Sequence, residues 1–290
     1  MKGTGKRKKL RTALFIAAGA AAVLAVWFGI PYSPLRDGFG KDIKRITADS
    51  RYHTDGGIIT EEAIAHLPEA VKKCIRHCGF VGTPVMSYMK MGFHDVAFSM
   101  GKDKPTLNID YTLYDFTAEP CRMAFIDSSM FGVPFQGYDY YENGSGGMKG
   151  VLAKAFTVVN ETGSSMDKAC LVTYLSESMC APSILLRNDI TFEETDEHNV
   201  RAEMTYAGQT AGGVFTFNDE YEMISFTSDD RRTETDADGN EHIIPWTVKC
   251  GGYKAAENGV LLPAKMQIVW NYPDGDLVYF DGEVGSIVYG

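Results

Sequence analysis

Two residues with the spacing of a nucleophile and its activating base stand at the start of a predicted helix. Ser165 and Lys168 form an SxxK pattern, which in serine penicillin-binding enzymes supplies the nucleophilic hydroxyl and the lysine that tunes it. The partner motifs are missing, because Tyr141-Glu142-Asn143 precedes the SxxK and Lys249-Cys250-Gly251 lacks a hydroxyl. Since serine also favours helix starts, we interpret the pattern as helix capping.

Metal-binding and cofactor-binding patterns give no assignment. None of the six histidines belongs to an HExxH pair, and no Walker A, GxSxG or GxGxxG context occurs. The run Asp236–Glu241 hints at a calcium loop but lacks the EF-hand ligand series, so we interpret it as a hairpin tip. Asp139 and Glu177 are the best acidic candidates for catalysis, and we interpret both as hydrogen-bonding to turn backbone. We therefore predict no catalytic residue, no metal and no cofactor.

The elements that position these residues are mostly strands. Apolar and polar residues alternate over Thr106–Phe116, Val200–Tyr206 and Ala264–Tyr272, which predicts antiparallel strands with one covered face and one wetter face. Further strands are predicted near 84–99, 120–127, 133–142, 146–153, 189–195, 213–218, 221–228, 244–253 and 277–289. Turn signals at Asn143-Gly144, Asp238-Gly239-Asn240 and Pro273-Asp274-Gly275 separate several of them.

Two helices are predicted, Leu67–Cys78 before the strands and Ser164–Met179 among them. The second helix has two adjacent apolar rows, so we expect it to pack against the concave face of a curved sheet. The predicted fold class is mainly β (α+β), a large curved antiparallel sheet or half-open barrel packed on one or two helices. A hydrophobic ligand in that concavity would be lined by Leu107, Ile109, Tyr111, Leu171, Leu175, Met179, Met204 and Trp270.

The N-terminal segment has the composition of a membrane anchor. Six basic residues precede an uncharged run, Thr12–Ile30, whose 19 residues would form about 28 Å of helix, close to the thickness of a bilayer core. The run ends in bulky residues without a small-residue cleavage site, which favours an uncleaved anchor over a signal peptide. The excess of basic residues before the run predicts a cytoplasmic N-terminus. We predict a basic tail (1–11), a transmembrane anchor (12–30), a spacer (31–58) and one extracytoplasmic β-rich domain (59–290).

Charge and cysteine content limit the possible partners. Without the six N-terminal basic residues, 22 Lys and Arg stand against 38 Asp and Glu, a net charge of −16. So acidic a protein is poorly suited to bind nucleic acid, which requires cations to neutralise phosphates. Six cysteines without a CxxC spacing permit disulfides outside the cell, or act as small buried apolar residues.

The order and spacing of several segments resemble a family of uncharacterised bacterial proteins of unknown function. The likeness spans about three-quarters of the chain. It rests on Leu67-Pro68-x-x-Val71, Arg76-His77-x-Gly79-x-Val81-Gly82-x-Pro84, Gly137-x-Asp139-x-Tyr141-x-x-Gly144-x-Gly146-x-Met148, Leu171-x-x-Tyr174-Leu175-x-Glu177 continuing through Pro182 to Leu186, Pro245-Trp246, Tyr253, Leu262-Pro263 and Trp270 with Asp274-Gly275. The polar residues of these motifs are Asp139, Tyr141 and Glu177. Where Cys180 stands, the family usually has an aromatic residue. The resemblance brings no established activity, and the layout is also similar, by analogy of fold, to half-open lipoprotein-carrier barrels.

Three functions remain open from the sequence. The first is a single-pass protein of the bacterial cell membrane whose extracytoplasmic β domain binds a lipid, an acylated partner or another apolar ligand. The second is an envelope hydrolase that uses Ser165 and Lys168, or carboxylates such as Asp139 and Glu177. The third is a structural or interaction module of an envelope complex. The expected nearness of the domain to the bilayer favours lipid binding, and no enzyme activity is assigned.

Overall fold

A computed structural model describes residues 3–235 and 241–290. Its helices are α1 (Gly3–Gly29), α2 (Pro34–Ala48), α3 (Glu61–Ile64), α4 (Glu69–His77) and α5 (Ser164–Glu177). Two short 3-10 turns cover Ser50–Tyr52 and Pro182–Leu186.

The described strands are all antiparallel to their neighbours, and most of them belong to one large sheet. They are β1 (Tyr88–Ser99), β2 (Thr106–Phe116), β3 (Cys121–Met130), β4 (Val133–Glu142), β5 (Ser145–Leu152), β6 (Phe156–Thr162), β7 (Ile190–Glu194), β8 (Asn199–Tyr206), β9 (Gln209–Phe217), β10 (Met223–Ser228), β11 (Thr233–Thr235), β12 (Glu241–Ile243), β13 (Trp246–Gly251), β14 (Lys254–Ala255), β15 (Leu261–Leu262), β16 (Lys265–Tyr272) and β17 (Gly275–Tyr289).

Thirteen strands form the main sheet, in the order β6-β5-β4-β3-β2-β1-β17-β16-β13-β10-β9-β8-β7. The sheet is open, since β6 and β7 end it and do not pair with each other. The remaining strands form the two-stranded pairs β11-β12 and β14-β15. Strand β17 lies in the middle of the sheet and joins β1, from the first half of the chain, to β16, from the second half.

Helix α5 lies against the concave face of the sheet. It packs against both β5 and β9, which lie near opposite edges of the sheet, so the sheet must curve around it. Nine consecutive residues of α5, from Ala169 to Glu177, are buried. The main apolar core fills the space between this helix, α4 and the concave face. An open, curved antiparallel sheet packed on helices confirms the predicted fold class.

Helix α2 covers part of the convex face and lies in the segment that we interpreted as a spacer. Phe39 stacks on Phe125 of β3 with ring centroids 5.3 Å apart, and Ile46 is fully buried. Arg45 donates to both carboxylate oxygens of Glu142 on β4, at 2.7 and 2.8 Å. The segment therefore forms a packed helix instead of an extended linker, because its few apolar side chains share one face.

Helix α1 projects away from the sheet. It is the one described helix long and apolar enough to cross a membrane, a property that signal sequences share, and none of its most apolar stretch is buried.

Several smaller predictions have clear outcomes. The helices at 67–78 and 164–179 are found with ends shifted by one or two residues. Strand β6 was not predicted. The turn expected at Asp238–Asn240, and most of the run read as a hairpin tip, fall outside the described residues. All six cysteines are free and buried. They therefore act as small buried apolar residues and do not form disulfides.

Candidate ligand cavity

A cavity of about 830 Å³ opens between the concave face and the N-terminal half of α5. Most of its lining is aromatic or aliphatic, with a few charged side chains. The residues that argue for a function are Tyr111, Arg122, Asp139, Arg231, Trp246 and Trp270.

Aromatic side chains of the central strands form one wall. Trp270 of β16 stacks on Tyr279 of β17 with ring centroids 5.9 Å apart, and the hydroxyl of Tyr279 accepts a hydrogen bond from the Trp246 indole at 3.0 Å. Phe280 meets Tyr111 edge to face at 5.5 Å. Pairs of this kind hold aromatic rings in fixed orientations, so the wall presents a preformed apolar surface.

The floor of the cavity contains a buried ion pair. Arg122 of β3 donates to Glu177 of α5 through Nε at 2.8 Å and through Nη2 at 3.0 Å. Nη2 also donates to the Tyr111 hydroxyl at 2.6 Å. Both charged side chains are almost completely buried, so the pair ties α5 to the sheet where water is excluded.

A second carboxyl group lies beside this pair. Asp115 of β2 is fully buried, and neither of its oxygens accepts a hydrogen bond from any residue that the structure describes. Burial, and then the nearby Glu177 carboxylate, raise the pKa of Asp115 well above its ordinary value. Burial therefore favours the protonated form of Asp115, whereas Arg122 and Glu177 form the ion pair of the cluster.

Asp139 of β4 lines the cavity itself. Its Oδ1 is buried and receives no hydrogen bond within residues 3–235 and 241–290. Burial raises the pKa of Asp139, although Arg122 and Arg231 act in the opposite direction. An unpaired carboxyl oxygen that faces an apolar cavity is an unused hydrogen-bonding group in a place where a ligand could reach it.

A cation lies on the other side of the cavity. The Arg231 guanidinium lies over the Trp246 ring, 4.5 Å from its centroid, and Nη1 donates to the Ala169 carbonyl at 2.7 Å and to the Thr173 hydroxyl. Since α5 and an indole ring fix this cation, it forms a positioned positive group on the cavity wall.

The predicted lining residues divide into two groups. Tyr111 and Trp270 line the cavity. The other six, which the structure packs into the apolar core instead, are Leu107, Ile109, Leu171, Leu175, Met179 and Met204. The prediction selected these residues because they lie on the covered face of a strand or on the apolar rows of α5. Those faces line the cavity in one part and pack into the solid core in another.

The polar residues of the family motifs also have distinct surroundings. Tyr141 is fully buried, and its hydroxyl has no hydrogen-bond partner among the described residues. Glu177 pairs with Arg122 and Asp139 faces the cavity, so the expectation that both bond to turn backbone is wrong. Asp139 lies within β4 and lines the cavity, and the Glu177 carboxylate on α5 is occupied by the Arg122 guanidinium.

The SxxK residues have no contact that would suit a nucleophile. Lys168 Nζ donates to Asp230 at 2.7 Å, and no hydrogen bond joins Lys168 to Ser165 within the described chain. The residue that caps α5 is Gly163, without a side-chain hydrogen bond, so the interpretation of the SxxK pattern as a helix cap was also wrong. Asp167 instead accepts a hydrogen bond from the Gly146 amide at 2.6 Å and attaches the first turn of α5 to β5.

No cluster of three potential metal ligands occurs within residues 3–235 and 241–290.

Sequence reasoning missed Arg122, Asp115 and Arg231. Two of them carried a usable signal, since Asp115 has the same strand parity as Tyr111, and Arg122 has the same strand parity as the inward Ala124 and Ile126. A charge on the covered face of a strand marks a buried polar site. Arg231 lies in a segment without periodicity, so no comparable signal existed.

Comparison with known families identifies relatives but no activity. The sequence profile of DUF6544, described as a family of unknown function, matches residues 57–282, more than three-quarters of the chain. This match confirms the resemblance seen in the motifs from Leu67 onwards. No curated protein matches the chain.

One solved structure is similar in arrangement. It is described as the crystal structure of a candidate outer membrane lipoprotein-sorting protein domain from Vibrio parahaemolyticus, with 9% sequence identity and a TM-score of 0.40. The likeness covers 76% of this chain and 91% of that one. It is of the kind suggested by the layout of strands and helix, but at this TM-score it carries no argument about function.

Proposed function

Since the chain belongs to the DUF6544 family, whose function is unknown, we propose from its own geometry that it is a membrane-anchored envelope protein that binds an amphipathic, largely apolar ligand. The ligand class that fits best is a lipid or another molecule with an acyl chain. It would occupy the cavity between the sheet and α5. The observation that carries the proposal is the cavity itself, at about 830 Å³ and with a largely aromatic wall.

The size and lining of the cavity support a small-molecule ligand. Ligand sites usually have volumes of roughly 300–1,000 Å³, with apolar walls and a few positioned polar groups. The rings of Trp246, Trp270 and Phe280 supply the apolar wall here. An acyl chain laid against them would leave water and gain burial of its methylene groups.

The polar groups support an amphipathic ligand over a purely apolar one. Asp139, with its raised pKa, offers an unused carboxyl group, and Arg231 offers a fixed positive charge. A ligand with an anionic or hydroxyl-bearing head could bind both groups while its chain contacts the aromatic wall. A hydrocarbon without such a head would leave Asp139 without a partner.

The position at a membrane is part of the same proposal. Helix α1 supplies a span of sufficient length, and basic residues precede its uncharged run, Thr12–Ile30. We propose that residues 12–30 cross the cell membrane once with the N-terminus in the cytoplasm, and that residues 59–290 form one domain outside. The protein would then bind its ligand close to a supply of lipids.

A pair of neighbouring substitutions on β6 tests the ligand site. Val159 lines the cavity, whereas the adjacent Val158 is exposed and does not. We expect Val159→Trp to fill the cavity and weaken binding of the fluorescent fatty acid cis-parinaric acid severalfold. Val158→Trp adds the same ring outside the cavity and serves as the matched control, with binding unchanged.

The measurement is probe fluorescence titrated into the full chain in detergent micelles, with displacement by palmitate. Mass spectrometry of lipids released from the purified protein is the second readout. Failure of the unsubstituted protein to bind the probe, or equal loss in both variants, would contradict the proposal.

No observation favours the hydrolase reading. Lys168 is paired with Asp230, and Ser165 has no base within hydrogen-bonding distance among the described residues. The two most exposed apolar side chains of the β-rich domain, Phe131 and Phe156, lie at one end of the sheet, where contact with a membrane explains them better than an interaction module does.

A further inference from the structure

The end of α1 is fixed to the hairpin between β5 and β6. The Trp27 indole donates to the Ala153 carbonyl at 3.0 Å. In return, Lys154 Nζ donates to the carbonyls of Trp27, Phe28 and Ile30, at 2.9, 3.1 and 2.6 Å. A cation at the C-terminus of a helix satisfies the last carbonyls and interacts favourably with the helix dipole.

This contact is built into the hairpin. Ala153 and Lys154 both have positive φ values, 54° and 62°, a backbone region that non-glycine residues seldom adopt. The Lys154 side chain is nevertheless buried, which is unusual for lysine unless its charge is paired. The hairpin therefore holds α1 in one place relative to the sheet.

Three turns lie together at the end of the sheet where α1 is fixed. The pairs Met130↔Val133 and Leu152↔Phe156 close the β3-β4 and β5-β6 hairpins there. The β1-β2 turn follows the pair Ser99↔Thr106 at the same end, because β2 is antiparallel to both β1 and β3.

The turns at this end carry apolar side chains that face solvent. Phe131 is 92% exposed, Phe156 is 68% exposed and Met100 is 41% exposed. We call Met100, Phe131 and Phe156 the apolar tips. Phe131 has a φ of 52° at the first position of a two-residue turn, where asparagine or glycine is favoured. Turn geometry therefore does not explain its choice.

The bilayer that would surround α1 is the occupant that fits these tips. The apolar surface of α1 reaches Trp27 and Phe28, which lie on the same hairpin end as the tips. Aromatic side chains favour the interface between lipid and water, and a lysine can reach out of it with its charged end. A soluble partner that covered the apolar tips would have to fit between them and the membrane that α1 enters beside them.

The cavity reaches this same end of the sheet. Its lining includes Met100 and Gly101 of the β1-β2 turn, and also Tyr272 and Leu277 beside the β16-β17 turn. We propose that the apolar tips rest in the membrane interface, held there by the Lys154 contact to α1, so that the cavity opens towards the lipid. This rests on the proposed membrane anchor, and it specifies membrane lipid as the source of the ligand.

Site-specific labelling in vesicles tests this orientation. The six native cysteines are buried, so Phe131→Cys and Phe156→Cys each introduce one accessible thiol for the environment-sensitive label NBD. Ile58→Cys and Val288→Cys are the controls, since both residues are exposed and lie at the opposite end of β1. The full chain is reconstituted in phosphatidylcholine vesicles that contain a nitroxide-labelled lipid. A neutral lipid is chosen because the β-rich part of the chain is acidic.

We expect the label at 131 and 156 to be quenched severalfold more than at 58 and 288. Lys154→Met should abolish this difference while the protein still floats with the vesicles, and an unchanged circular dichroism spectrum controls for folding. Equal quenching at all four positions in protein that floats would overturn the orientation alone. Protein that fails to float would overturn the anchor, and with it the function proposed above.

Discussion

One guanidinium between two carboxyl groups holds the centre of the concave face. Arg122 keeps its charge paired with Glu177, while the pKa of Asp115 is raised by burial and by Glu177. Removal of one member of a buried pair leaves the other charge without compensation. The cluster therefore ties α5 to β3 only while both charged members are present.

Replacement of Arg122 should be strongly destabilising. We expect Arg122→Met to lower the free energy of unfolding by about 3–5 kcal/mol, because Glu177 remains buried without a partner. The double variant Arg122→Met/Glu177→Met should recover most of this loss, since an apolar pair of similar volume removes the buried charge. Urea unfolding of both variants measures the effect, and equal losses in the two would show that the unpaired charge is not the cause.

Asp139 should make the stability depend on pH. Its pKa in the folded protein is raised by burial above the unfolded value, which is about 3.9. Between these two values the folded state binds more protons than the unfolded state, so stability falls as the pH rises through that interval. Asp139→Asn removes this loss.

The variant Asp139→Asn should match the unsubstituted protein below about pH 4 and be more stable than it at neutral pH. Urea unfolding of both proteins at acidic and neutral pH measures the difference. A variant that is less stable at neutral pH would mean that the carboxylate is ionised and stabilised there.

At the scale of the elements, the distance between α5 and β5 is set by a residue without a side chain. A Cβ atom at Gly146 would lie 2.7 Å from Cys170 Sγ and 2.8 Å from its Cβ. The Gly146 amide also donates to Asp167 on the same helix. Close packing of the helix at the edge of the cavity therefore requires glycine at this position.

The substitution Gly146→Ala should move α5 outwards and lower the free energy of unfolding by about 1–3 kcal/mol, as overpacking usually does. Gly40→Ala in α2 is the matched control, since no atom lies within 4 Å of the added carbon. The control should stabilise the protein by about 0.5–1 kcal/mol through helix propensity. Thermal unfolding compares the two, and a neutral Gly146→Ala would contradict the packing argument.

The elements also show how far sequence periodicity can lead. Alternation over Thr106–Phe116 correctly put Tyr111 on the covered face, and the two apolar rows of α5 correctly put it against a curved sheet. Helix α2 was missed because proline, glycine and charge dominate its composition, although Phe39 and Ile46 suffice to bury one face. The position of α5 against the sheet decides whether a covered residue lines the cavity or fills the core. No local sequence pattern encodes that position.

At the scale of the whole molecule, every cysteine is enclosed. Burial raises the pKa of the Cys121 and Cys180 thiols, and thiols that are buried and protonated react slowly. We expect the native protein to be almost inert to Ellman's reagent and to release six thiols on unfolding without reductant. Fewer than six would reveal a disulfide, and rapid reaction of the native protein would show that the core opens.

Strand β17 has a consequence for biosynthesis. It pairs with β1 and with β16, so it completes the sheet between two groups of strands that are made at different times. While a ribosome produces the chain, β1 to β6 can assemble from local hairpins, but β1 keeps a bare edge until β17 is released. Such edges invite pairing with other chains, and contacts distant in sequence form slowly. We therefore expect newly made chains to need protection from aggregation over nearly the full period of synthesis.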